Sequence, residues 1–190
     1  MLLAVPTGLF AVASGLGWVA LPYELYLVSQ RVPRAFSAHM TASGLALMSI
    51  PIALFVRRLG GPHRAVGRIA AASVVIGGLA ALPVALASEA HPIARGGFLA
   101  QAIVWLALAA SGIIAIRAGN MARHWRLMLC VAAVASGAIW LRLVIAATVS
   151  TSWSFPAVYA AAAWLCWVVP LAVVALWVLR DGLRFASLTR

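Results

Sequence analysis

Apolar residues dominate the chain in six long runs, interrupted by short stretches that carry arginine, proline and glycine: Leu2 to Val28, Ala38 to Val56, Ala65 to Ala87, Gly97 to Ile116, Trp125 to Ala147 and Ala157 to Leu179. Each run is long enough to cross about 30 Å of hydrocarbon at 1.5 Å per helical residue. Helix is the open-ended structure that satisfies its own backbone there, so strands are excluded. The pattern predicts an all-α, polytopic transmembrane bundle of six spans occupying residues 1–190 as a single integral membrane domain. Short loops force sequential helices to run antiparallel.

The first run also has to be read against a secretory signal. Met1 to Val28 lacks a basic leading segment and is too long for a signal's apolar core, so it is kept as a first span. Pro83 and Pro170 fall inside runs and mark candidate kinks. The third run is dense in small residues, among them Gly67, Ala71, Gly77 and Gly78, which permits close helix approach.

Composition agrees with a lipid-embedded chain. Of 190 residues 65% are hydrophobic and 9% charged, with a mean hydropathy of +1.07, against roughly a quarter charged for a soluble domain. No soluble domain is expected. The net charge of +11 comes from 14 arginines and no lysine, opposed only by Glu24, Glu89 and Asp181. Nucleic acid is not the expected partner, because the arginines lie between apolar runs, where membrane topology and anionic headgroups account for them. Arginine to the exclusion of lysine in an alanine-rich chain points to a bacterial source.

Arginine placement gives an orientation. Arg57, Arg58, Arg64 and Arg68 flank the second loop, Arg117, Arg123 and Arg126 the fourth, and Arg180, Arg184 and Arg190 the tail. Arg31, Arg34 and Arg95 stand on the other side. The richer side is expected to be cytoplasmic, with both termini inside, in a bacterial inner membrane. Trp125, Trp153 and Trp177 fall near span ends, as interfacial rings do; Trp18, Trp105, Trp140, Trp164 and Trp167 are expected deeper, as packing. No convincing internal repeat is visible, although a basic loop followed by His and Arg recurs before the third and fifth runs.

Polar residues inside the runs cost a few kcal/mol each on insertion scales and need a partner or a purpose. Glu24, His39, Gln101 and Arg142 fall at similar depth near the outer face. They are candidates for an outward-facing site in which Glu24 and Arg142 pair while His39 and Gln101 offer hydrogen bonds to a small ligand or a quinone-like headgroup. The plainer alternative is interfacial residues and a snorkelling arginine or fold-specifying bridge. A second chemical reading is haem b. His63 and His124 each open a run on the cytoplasmic side, and two neutral imidazoles from neighbouring helices are what a b-type haem iron takes. Against it, both lie in arginine-rich interfacial segments, while His91 precedes a proline in a loop.

Other chemistry is missing from the sequence. Cys130 and Cys166 lie inside apolar runs without metal-ligand spacing and read as buried thiols. There is no carboxylate pair, nucleophile elbow, phosphate-binding loop or zinc-protease motif. No catalytic residue or metal site is expected, and no run carries the polar stripe of a channel or pump.

Several segments together resemble a known family: His39 with Pro51 following, His63-Arg64-Ala65-Val66-Gly67-Arg68-Ile69, Gly97-Phe98, Trp105-Leu106, Ile116-Arg117, His124-Trp125-Arg126-Leu127-Met128 and Leu141-Arg142-Leu143. From about His39 to Leu143 the chain resembles a large bacterial family of predicted multi-pass membrane proteins classed as a domain of unknown function. The resemblance makes His39, His63, Arg68, His124 and Arg142 the motif positions. The chain departs from the pattern at Ala53, where glutamine is usual, at Ala70, where tyrosine is usual, and at Cys130 and Ala132, where arginine and tyrosine are usual. An inner-side site built on those groups would be incomplete here. The sequence therefore favours a non-catalytic, ligand-binding membrane protein or an accessory subunit of a membrane complex, with a small b-type cytochrome or a scaffold for partner subunits as alternatives.

Overall fold

The computed structural model describes residues 3–148 and 150–188, with side chains described as far as Arg180. Leu2 and Arg190 lie outside the described residues, as do the side chains of Asp181 and Arg184. Seven helices follow one another: α1 Ala4–Gly15, α2 Tyr23–Arg31, α3 Pro33–Phe55, α4 Gly60–Ala87, α5 Pro92–Arg117, α6 Met121–Thr148 and α7 Phe155–Leu188. There is no strand among the described residues. Five helices, α3 to α6 and α7 as far as Arg180, are long and apolar enough to cross a membrane.

These five overlay the second to sixth predicted runs, but the expected first span does not form. Gly17 takes a left-handed φ of 73° and Pro22 caps α2, so the segment between them leaves the helical path. What remains is the 12-residue α1, about 18 Å long at 1.5 Å per residue and short of the hydrocarbon thickness, followed by the 9-residue α2. Trp18, expected in the packing, stands 75% exposed in that intervening segment. Trp140 and Trp164 are also exposed, whereas Trp105 and Trp167 are buried as expected.

Proline opens both α3 and α5. Pro33 and Pro92 sit at the first helical position, where the missing N–H costs nothing. Pro51, Pro83 and Pro170 are carried inside α3, α4 and α7.

The helices α3, α4, α5 and α6 close a four-membered ring. Each packs against its neighbours in sequence, and α6 returns to α3. Among the described residues the diagonals stay apart: α3 has no Cα–Cα approach within 8 Å to α5, and neither has α4 to α6. The ring's interior holds the main core of Ala46 and Ile50 from α3, Ala70 and Val74 from α4, Trp105 and Ala109 from α5, and Val131 and Val134 from α6. Trp167 joins it from α7, which packs across α5 and α6. The indole N–H of Trp105 donates to the Val131 carbonyl at 3.1 Å, so its polar atom is satisfied inside the core. Helix α1 lies along the outside of α3 and touches α6.

Arg57, just past α3, lies 4.4 Å from the centroid of the Trp125 ring in the first turns of α6. That contact brings the α3–α4 loop and the start of α6 to the same end of the bundle. Most of the described arginines therefore gather at one end, where α3 and α5 finish and α4 and α6 begin; the other end carries α2, the α4–α5 loop and the start of α7.

Candidate functional site

At the arginine-poor end His39 sits on the side of α3 that faces α4. Its Nδ1–H donates to the Gly77 carbonyl at 2.9 Å, with the Ser43 hydroxyl oxygen 3.3 Å away. Glycine at 77 is what admits the contact, since a Cβ there would stand 2.6 Å from Ser43 Oγ. The donated proton fixes the tautomer and leaves Nε2 as an acceptor. Arg142 on α6 is close enough for its charge to act on the imidazole. Its Nη1 donates to the Ala138 carbonyl of its own helix at 2.8 Å, and its guanidinium lies 5.9 Å from the centroid of Phe10 on α1. Phe10 is exposed and Arg142 half-buried, so the guanidinium is reached from the flank between α1 and α6.

The other two expected members stand elsewhere. Gln101 donates from Nε2 to the Val134 carbonyl at 3.2 Å, across the α5–α6 contact. It fills the space over Gly137, where a Cβ would approach its amide to 2.9 Å. Five residues of α-helix turn the chain by about 140° from 137 to 142, so Gln101 and Arg142 use different faces of α6. Glu24 is exposed on α2, and its charge reaches Tyr159 at the start of α7. The expected pair between Glu24 and Arg142 is not formed; the one ion pair among the described residues joins Arg31 to Glu89, and Arg31 also donates to the Ala87 carbonyl at the end of α4. The break at Gly17 explains this, because it moves Glu24 from an expected span onto a short helix at the bundle end. Of the four sequence candidates, only His39 and Arg142 are linked, through the charge of Arg142 acting on the imidazole.

At the arginine-rich end the two remaining buried-side histidines make matching contacts. His63 donates from Nδ1 to the Ala53 carbonyl of α3 at 3.0 Å, and His124 from Nδ1 to the Gly112 carbonyl of α5 at 2.9 Å. Both acceptors lie twenty residues beyond the proline that opens their helix, Pro33 or Pro92. The hairpins α3–α4 and α5–α6 thus share one contact, a histidine of the second helix on a late carbonyl of the first, where the sequence showed only the recurring basic loop with His and Arg. His91 differs: its Nδ1 accepts from the Ile93 N–H and caps α5. Among the described residues no three His, Cys, Asp or Glu side chains gather as a metal site, and Cys130 and Cys166 are buried free thiols.

Two contributors were invisible in the sequence. Phe10 is an ordinary apolar residue until α1 docks beside α6, and Ser43 is a small residue one turn from His39. A surface groove of about 400 Å³ lies along α3 and α4 between Ala38, Leu45, Ile69 and Ile76. It opens on a different flank of α3 from His39 and is almost wholly apolar, so it adds nothing to the chemistry at Arg142.

Residues 36–178 match the family described as predicted membrane protein, DUF2306. The chain belongs to this family. The match spans α3 through most of α7, the ring and the helix packed on it, and includes His39, His63, His124 and Arg142. The DUF2306 chain is accordingly a membrane protein with several apolar helices, in a family of unknown function. Searches of curated proteins and of solved structures give no match.

Proposed function

We propose that this DUF2306 protein binds a small membrane-borne ligand through Arg142 and His39, and that the ligand presents hydrogen-bond-accepting oxygens on a quinone-like headgroup. One observation carries the reading: Arg142 lies within a span-length helix with no carboxylate partner among the described residues, and its hydrogen bond goes to its own helix. A guanidinium has five donors, and leaving them unused within a bilayer is costly. A carbonyl-bearing ring entering between α1 and α6 would accept from Arg142, stack near Phe10 and meet His39 behind it. The role read here is binding, in an integral protein of a bacterial cytoplasmic membrane or an accessory subunit of a complex there. The arginine-rich end faces the cytoplasm in this reading, supported by the loop arginines, and the ligand site lies toward the outer leaflet.

The test is photolabelling with a short-chain azido-benzoquinone in nanodiscs. Label mapped to α1 and α6 that falls at least tenfold in Arg142→Gln, with helical content and monodispersity kept, supports the reading. Equal labelling of both proteins, or label confined to the groove along α3 and α4, defeats it and leaves Arg142 a snorkelling interfacial residue.

A further inference from the structure

The groove along α3 and α4 does not end at Ala38. A second stretch of about 630 Å³ continues it past Ser37 to Pro33 and Arg34, with Leu16, just beyond α1, on its far side. The two stretches share Ala38 and Thr41, so they form one valley, with α3 as its floor, α4 as one wall and the end of α1 as the other. Residue size makes the valley: Ala38 and Ala42 lie on the floor and Ala72 on the wall, while Leu16, Ile69 and Ile76 stand exposed at the sides. Polar groups of the floor are spent on α1 instead. The Ser37 hydroxyl donates to the Gly15 carbonyl, and the Thr41 hydroxyl is buried against Gly15. Between Arg34 and Leu45 an occupant therefore meets an apolar surface.

Pro33, where α3 begins, and Leu45 are twelve helical steps apart, about 18 Å at 1.5 Å per residue. That is slightly more than the roughly 15 Å of hydrocarbon in one leaflet. The mouth of the valley is charged. Of the arginines at this end, Arg31 is paired with Glu89, Arg95 donates to the Leu86 carbonyl at 3.0 Å, and Arg34 has neither an ion pair nor a side-chain hydrogen bond among the described residues. Arg34 is exposed and lines the valley, with all five guanidinium donors to offer. A guanidinium at the head of an apolar channel one leaflet long matches a phosphate carrying a hydrocarbon chain. A soluble anion would leave the channel empty, and an uncharged lipid would leave the guanidinium unanswered. No carboxylate lines the valley to meet the ammonium of a zwitterionic headgroup, which favours a lipid of net negative charge.

We infer that the valley between α1, α3 and α4 holds one acyl chain of an anionic phospholipid, with the phosphate on Arg34. The site shares no residue with that at Arg142 and takes a different chemistry, so either stands if the other fails. It is tested on the full chain in phosphatidylcholine nanodiscs that contain a small fraction of phosphatidylglycerol with a diazirine on one acyl chain. The expected result is label within residues 38–45 and 69–76, displaced by unlabelled phosphatidylglycerol and indifferent to inorganic phosphate. Arg34→Gln lowers that label about fivefold, equivalent to about 1 kcal/mol. Arg34→Lys restores part of it, and Arg58→Gln, at the other end of the bundle, leaves it unchanged. Ala72→Phe, at an exposed position on the wall, fills the channel and removes the label at unchanged helical content and monodispersity. Equal label from a phosphatidylcholine probe, or equal label in Arg34→Gln, would overturn the inference, because lipid that merely solvates an apolar face behaves in that way. Label confined to other helices would overturn it too. Displacement by inorganic phosphate would make Arg34 a site for free anions and would equally overturn it.

Discussion

Gly8 on α1 and Gly44 on α3 lie so close that each occupies the place of the other's missing side chain: a Cβ on Gly8 would stand 2.8 Å from the Gly44 carbonyl oxygen, and one on Gly44 would stand 2.6 Å from that of Gly8. Gly15 repeats the arrangement two turns along, against the backbone at Thr41 and Ser37. Small residues at such a crossing let two backbones pack closely where no hydrophobic force acts between helices. Backbone cannot yield as a side-chain tip can. Gly44→Val should therefore detach α1 and cost about 1–3 kcal/mol of stability, read as earlier unfolding in a denaturant series in detergent. Gly61→Ala, in open space, should behave as the parent chain. Equal stability of the two variants would mean that α1 is not held at this crossing.

The docking of α1 also depends on the turn behind it. Gly17 and Gly119 have φ of 73° and 74° in open surroundings, so conformation alone selects glycine there. Replacing Gly17 by valine should cost about 1–2 kcal/mol and by asparagine less, because asparagine tolerates the left-handed region and a β-branched residue does not. Thermal unfolding of the two variants side by side checks the order.

In the core, Trp105 combines a large buried ring with a satisfied N–H. Trp105→Phe removes the hydrogen bond to Val131 and some volume, for an expected loss of about 1–2 kcal/mol. Trp105→Ala opens a cavity among Ala46, Ala109 and Val134 and should cost about 3–5 kcal/mol. Chemical denaturation in detergent separates the two steps; equal losses would show that the ring's volume contributes nothing.

Orientation is tested by cysteine accessibility. With Cys130 and Cys166 buried, a membrane-impermeant maleimide added to intact cells should label Ser152→Cys, in the exposed α6–α7 loop, and leave Asn120→Cys, in the α5–α6 loop, unlabelled until the cells are opened. The reverse pattern would place the arginine-rich end outside.

The five span-length helices were legible because each is bounded by arginine, proline or glycine. The break in the first run was not, because Leu16, Trp18, Val19, Ala20 and Leu21 keep the hydropathy high through a segment that is not helical. That misreading carried Glu24 with it, since depth inferred from a helix that does not form has no meaning. His39 and Arg142 were legible as polar residues in apolar runs, and the charge of Arg142 does reach the imidazole. Gln101 was equally conspicuous, yet it spends its amide on the Val134 carbonyl; a sequence shows that a polar group needs a partner and not that a backbone oxygen on the next helix supplies it. The histidine contact that the two hairpins share was hidden for a related reason. Its likeness lies in backbone acceptors, Ala53 and Gly112, whose side chains carry no trace of the contact.

The proposed role of Arg142 is to serve a ligand rather than the fold. It is tested most directly by titrating the nanodisc-embedded chain with a short-chain benzoquinone and following tryptophan quenching in the parent, Arg142→Lys and Arg142→Gln. Saturable binding that weakens at least tenfold in Arg142→Gln, with Arg142→Lys between, is the expected result. A tenfold loss corresponds to about 1.4 kcal/mol, close to the lower end of what one charge-assisted hydrogen bond contributes. Indistinguishable isotherms for the three proteins, or quenching that never saturates, would contradict the account.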